Sequence, residues 1–271
     1  LSDRPQPQVY WEMVKASLAD AGLQLSQVDG LIDYAPDGAG FRSALPGSAL
    51  ADLLGRPVRF QAQTWVGAAG TAAGMGLAVM AIENGLCDVV IMPTVVAGQA
   101  AGYFGADRDA AIAAMSKLGT VYEWLWGTTR VADYAVIAQR HMHEYGTKSE
   151  QLAEVAVAAR HSATLHPYSV MGKKGEITVD DVMSSRMIAS PLHLLECPLD
   201  NDGGYALVVA SAAIARDCAK APVWILGGSE ATYTDSYRTI TAPWISQEGA
   251  AVRRASDMAF AMAGVGRDDI D

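Results

Sequence analysis

Residues 58–85 read VRFQAQTWVGAAGTAAGMGLAVMAIENG. The first six residues, 58–63, have the length of a strand, with Val58 and Phe60 as its β-favouring residues. Gly67-Ala68-Ala69-Gly70 then makes a tight turn in which no side chain carries a nucleophile. Residues 71–84 predict a helix that is small and apolar almost all round, the pattern of a helix buried on every side. Residues 88–93, DVVIMP, follow as a second strong strand. A strand, a long helix and a strand in succession imply a mostly parallel sheet covered on both faces.

Outward from this unit the alternation continues. Residues 8–22 form an amphipathic helix that stops at Gly22, and 30–34 a short buried strand. Residues 43–55 predict a helix ending at Gly55. After residue 95 the period is lost: up to residue 128, Gly and Ala mix with Tyr103, Phe104, Tyr122, Trp124 and Trp126. Such a stretch is an inserted loop domain or a set of short helices over a site. Helices return at 130–145, 149–165 and 178–185, the last with Asp180 and Asp181 favourable in its first turn. Residues 204–210 predict a strand, 211–218 a helix, 223–227 a strand and 246–264 a helix.

Composition narrows the function. The chain has 271 residues, a hydrophobic fraction of 51% and a charged fraction of 18%, enough for a sizeable core in one large domain or two small ones. The net charge of −10 argues against nucleic acid, which needs a basic footprint, and leaves room for an anionic small molecule. No run of about 18 apolar residues predicts a membrane span. Cys87, Cys197 and Cys218 are few and scattered, as suits free thiols in a reducing cytoplasm. There is no CxxC, and His141 and His143 stand two apart on different sides of a helix, so no metal site is expected. The chain opens on Leu1 with neither a signal-peptide pattern nor an initiator Met, as a fragment or a trimmed chain would.

Five segments in order carry a family pattern: HMHEYGTK at 141–148, RHSATLHPYS at 160–169, ITVDDVMSSR at 177–186, PLHLLECP at 191–198 and NDGGYALVV at 201–209. Their succession resembles the thiolase domain of sterol carrier protein x and its bacterial lipid-transfer relatives, from about residue 8 to residue 271. The resemblance implies an α/β thiolase-like fold, layered αβαβα, with a mixed five-stranded sheet in each of two similar halves, and usually a dimer. It assigns residues 1–220 to the N-terminal half, with a loop domain at about 95–200, and 221–271 to the start of a truncated C-terminal half. A His motif, a Gly-His motif and a second Cys belong to the remainder of that half.

In that family the turn before the buried helix carries a nucleophilic Cys, made acidic by its place at a helix start. Here Gly67 occupies the Cys position and Ala68 follows it. Glycine cannot be acylated, so thiolysis through this position is excluded by the alignment, and Cys87 reads as a buried small hydrophobe rather than a substitute. Small residues also let a thioester approach closely, or simply allow a central helix to pack tightly. The Cys-lacking aldolases of steroid side-chain degradation are one such branch. They cleave a β-hydroxyacyl-CoA by retro-aldol chemistry and work with a small partner that carries an oligonucleotide-binding-type fold and a zinc ribbon. The resemblance thus implies a coenzyme A thioester as substrate and no covalently bound cofactor. An acyltransferase, with a shifted nucleophile or with the turn aligned some residues away, and a non-catalytic acyl-CoA-binding subunit remain alternatives.

Tyr103, Tyr122, Trp124 and Trp126 are candidates to cover an apolar acyl chain or steroid ring, with core packing the competing role. His161 and His166 fall in a segment where the resembled family commonly has His and Asn-Pro; His166-Pro167 stands in place of Asn-Pro and reads as a helix-ending or loop pair. His193, near Cys197, reads as a loop residue before Pro198 that could line a site. Asp200, Asn201 and Asp202 read as a turn before the strand.

Overall fold

A computed structural model describes residues 6–34, 51–52, 54–64, 69–96, 130–199, 203–231 and 250–270. In chain order the elements are α1 (Gln6–Ala21), β1 (Gly30–Tyr34), β2 (Phe60–Thr64), α2 (Gly70–Glu83), β3 (Val89–Val96), α3 (Arg130–Tyr145), α4 (Ser149–Thr164), α5 (Val179–Ser184), β4 (Met187–Ala189), β5 (Leu192–His193), β6 (Gly203–Ala210), α6 (Ala212–Ala215) and α7 (Ala250–Ala263). The chain divides into two units, the first comprising residues 1–119, 201–233 and 246–271, the second residues 120–200 and 234–245.

The first unit is built on a sheet of order β2-β1-β3-β6. β1 pairs in parallel with β2 and with β3, while β6 runs antiparallel to β3. The sheet is therefore mixed, and four of the five strands implied for a thiolase half lie among the described residues. Its faces follow the strand alternation. Leu31, Val89, Ile91 and Val95 pack with Val9, Tyr10, Val14 and Leu18 of α1. Ile32, Val90 and Met92 pack on the other face with Ala78 and Ala81 of α2. Gly22, at φ 71°, ends α1 in the left-handed conformation that glycine adopts without strain.

α2 departs from the sequence expectation. It buries one stripe, Gly70, Ala73, Gly74, Ala78 and Ala81, and leaves Ala72 and Met80 exposed. The described residues offer it one sheet to pack on, so its outer apolar side faces out. Its approach to that sheet is close: a Cβ on Gly74 would lie 2.6 Å from Met92 Cε and 3.3 Å from Ile32 Cγ2.

Two further expectations fail. The helix predicted at 211–218 is only Ala212–Ala215. Beyond it the backbone tightens, with Asp217 and Cys218 N–H groups bonding three residues back, and Ala219 N–H turns to the Ala21 carbonyl at the end of α1. That tertiary bond, with the Lys220–Asp20 ion pair, competes successfully with further helix. The strand predicted at 223–227 is irregular and has no strand partner among the described residues. Val223 is 94% exposed, and Trp224, Ile225 and Leu226 are exposed as well. A lone apolar run has no ladder to join, so periodicity alone does not make it a strand. Ser229 instead donates to the Ala255 carbonyl of α7 at 2.5 Å.

In the second unit α4 packs against α5 and the short turn after β5. Arg160 is buried and donates to the Gly175 carbonyl at 3.1 Å. Thr178 caps α5 by accepting from the Asp181 N–H at 3.2 Å, while Asp181 accepts from the Thr178 N–H at 2.8 Å. Hydrogen bonding from Thr178 holds the Asp181 carboxyl below its usual range. No helix among the described residues is long and apolar enough to cross a membrane.

Candidate functional site

The parallel strands end together near one edge of the first unit. β1 pairs with β3 at Gly30–Val90 and Leu31–Ile91, and the ladder stops there although both strands run on. Pro93 accounts for the stop: with no N–H it cannot donate to a neighbour on that side, and it pairs only with Ala206 of β6. Ligands of open α/β sheets enter at such a carboxyl edge.

Four polar side chains mark this edge. Asp33, 1% exposed, lies beyond the residues of β1 that pair with β3, on the face of α1, and the Tyr10 hydroxyl donates to its Oδ1 at 3.4 Å. Thr64, the last residue of β2, is buried and donates to the Gly70 carbonyl at 3.1 Å. Thr71, in the first turn of α2, meets the hydroxyl of Tyr205 on β6 at 2.5 Å. α2 begins without a side-chain cap. The sequence pattern singles out none of the four. Asp33, the lone charge within the strand GLIDY, and Tyr205, beside the glycine pair that opens β6, were the available signals.

Of the residues singled out from sequence, Gly67, Ala68, Tyr103, Tyr122, Trp124 and Trp126 lie outside the described residues, as do Asp200, Asn201 and Asp202. Cys87 is fully buried, and desolvation, aided by the Asp29 charge, pushes its thiol up to about 11. A protonated, enclosed thiol is no nucleophile. Cys197 is also pushed up, by burial and then by Glu196, and its Sγ donates to the His193 carbonyl at 3.3 Å.

The histidines all belong to the second unit. His141 and His143 are exposed on α3. His161 Nδ1 lies 2.9 Å from Glu176, whose carboxyl is lowered first by that hydrogen bond. His166 follows the end of α4 and packs edgewise on Tyr168. His193 is buried, and its Nδ1 is 3.0 Å from Glu196 Oε2. Among the described residues no group of three His, Cys, Asp or Glu side chains is placed to hold a metal.

No protein-family model matches the chain. A steroid side-chain-cleaving aldolase of Thermomonospora curvata is 31% identical over 239 residues, 87% of this chain and 60% of that protein. A 17-hydroxy-3-oxo-4-pregnene-20-carboxyl-CoA lyase of Mycobacterium tuberculosis is 31% identical over 243 residues, 89% of this chain and 61% of that protein. The chain thus spans about three fifths of the length of these relatives. The solved structure of an Ltp2-ChsH2(DUF35) aldolase superposes with a TM-score of 0.81 at 30% identity, covering 99% of this chain and 67% of that one. Sheet order, the five ordered sequence segments and these likenesses agree: the chain belongs to the thiolase superfamily, in the sterol-carrier-protein and lipid-transfer type that includes the steroid side-chain aldolases.

Proposed function

We propose that the whole protein is a carbon–carbon lyase that cleaves a β-hydroxyacyl-CoA of the steroid side-chain type by retro-aldol chemistry. The observation that carries this reading is the sequence Gly67-Ala68-Ala69-Gly70, which holds no Cys in a chain of thiolase type, while Cys87 beyond the helix is buried and protonated. A retro-aldol needs no acyl-enzyme. A base takes the β-hydroxyl proton, that oxygen forms a carbonyl, and the α–β carbon bond breaks. Its electrons pass to the thioester as an enolate, which is then protonated at carbon. The products are a ketone and a shorter acyl-CoA.

In this reading Gly67 and Ala68 leave room for the thioester, and Tyr103, Tyr122, Trp124 and Trp126 cover the apolar part of the substrate. Residues 1–220 form the N-terminal half with its loop domain at about 95–200, and 221–271 open the second half, whose sheet would cover the apolar outer side of α2. The protein works in the cytoplasm as a homodimer, with a small partner bearing a zinc ribbon and an oligonucleotide-binding-type fold. Support for the partnership comes from the similar Ltp2-ChsH2(DUF35) aldolase, whose name joins two components.

The test is to incubate the full-length protein and its partner with a 17-hydroxy steroid-CoA bearing a short side chain, and to follow acyl-CoA release by mass spectrometry. Release of propionyl-CoA with formation of the 17-ketone is expected. An acyl-enzyme on any cysteine, or transfer of an acyl group to free coenzyme A, would replace this reading with thiolysis.

A further inference from the structure

Along β6, Ala206, Val208 and Ala210 pack on the α1 side, and Leu207 and Val209 on the α2 side. The alternation places Tyr205 on the α2 side. It is the residue opposite Thr94 in the ladder, at the carboxyl edge where β1 and β3 have ceased to pair. Tyr205 is 44% exposed, yet its hydroxyl is fixed: Thr71 Oγ1 meets it at 2.5 Å from 134 positions away in sequence. Phenylalanine would fill the same space. What tyrosine adds is a hydroxyl held over the entrance to α2, at Thr71, four residues beyond Gly67 in sequence.

Two hydroxyls carry two hydrogens, and the bond between them uses one. The pair therefore keeps one hydrogen to give away. When Thr71 donates to Tyr205, the phenol becomes the stronger donor, because hydrogen bonds in a chain polarise one another. We propose that the Tyr205 hydroxyl donates to the carbonyl oxygen of the acyl thioester and strengthens that bond as the oxygen becomes enolate. Tyr205 is then a catalytic residue that touches substrate, and Thr71 a positioning residue that acts through it. The inference rests on the lyase reading above. No proton leaves the tyrosine: the donated bond shortens as charge gathers on oxygen when the carbon–carbon bond breaks.

The test uses the full-length protein with its partner and the 17-hydroxy steroid-CoA substrate. Tyr205→Phe should lower kcat by about 100-fold, the scale of removing one oxyanion donor, with KM raised by only about fivefold, the net worth of one hydrogen bond to the unreacted thioester. Thr71→Val should lower kcat by a smaller factor, about tenfold on the same scale, and Thr71→Ser should restore it. All three variants should melt within a degree or two of the parent. An unchanged kcat in Tyr205→Phe, or an equal loss in Thr71→Val and Thr71→Ser, overturns the assignment. If the parent cleaves no β-hydroxyacyl-CoA, the lyase reading has failed by itself, and the inference is decided by binding. Propionyl-CoA should then bind Tyr205→Phe at least about fivefold more weakly, an effect within the range for one lost hydrogen bond, and an equal Kd sinks the proposal.

Discussion

The Thr64 hydroxyl donates to the Gly70 carbonyl across 3.1 Å, tying the last residue of β2 to the first residue of α2. The two residues stand six apart in sequence, and the bond between them is buried. Thr64→Val keeps the shape and the strand preference but removes the donor. It should cost about 1 kcal/mol, the usual net worth of one hydrogen bond, in urea unfolding. Thr64→Ser keeps the hydroxyl and should recover most of that loss. Equal stability of the Val and Thr proteins would mean that the strap contributes nothing.

Gly74 is where α2 comes closest to the sheet. A Cβ there would sit 2.6 Å from Met92 Cε and 3.3 Å from Ile32 Cγ2, both in the core beneath the helix. The Met92 tip can swing aside for one methyl, and alanine also gains helix propensity, so Gly74→Ala should be close to neutral. Valine adds two more carbons and a stiff χ1. Gly74→Val should therefore destabilise by about 1–3 kcal/mol through overpacking. The contrast between the two variants, read by urea unfolding, separates close packing from a backbone requirement. A large loss in both would point to the backbone.

The fold was legible where period and punctuation agreed. α1, β1, α2, α3 and α4 came within two residues of their observed bounds because each is an apolar or amphipathic run bounded by a glycine, proline or polar stop. What was not legible depended on partners far away in sequence. Residues 223–227 are as apolar as any strand here, but a strand exists only in a ladder. α6 ended early because Ala219 N–H found the Ala21 carbonyl. The site divides in the same way. The missing Cys at Gly67 could be read from one turn set against a family pattern. The Thr71–Tyr205 contact joins residues 134 positions apart and leaves no local mark.

His193 and Glu196 form a deeply buried polar contact in the second unit. Glu196 Oε2 accepts from the His193 N–H at 2.6 Å and lies 3.0 Å from its Nδ1. The Glu196 side chain is 5% exposed. Glu196→Ala strands the buried N–H and the ring nitrogen together and should cost about 1–3 kcal/mol. Glu196→Gln retains an amide oxygen for the N–H and should cost less. Stability measured by urea unfolding at pH 7 checks both, and an alanine variant as stable as the parent would show that the pair is incidental.

Cys87 supplies the pH dependence. Its thiol lies at 0% exposure and is raised to about 11, first by desolvation and then by the Asp29 charge. The unfolded thiol titrates at about 8.5. Folding therefore favours the protonated form. The stability linked to this group is fully present below about pH 8.5 and is lost as the pH rises through 11. Unfolding free energy compared between the parent and Cys87→Ala should converge as the pH climbs from about 8 to about 11, because only the parent has a thiol to deprotonate. The same enclosure makes a chemical prediction. Iodoacetamide at about pH 8 should leave Cys87 unmodified in the native protein and label it after denaturation in urea. Native labelling of Cys87, with loss of activity in step, would show a reachable thiolate beyond α2 and would return the reaction to acyl transfer.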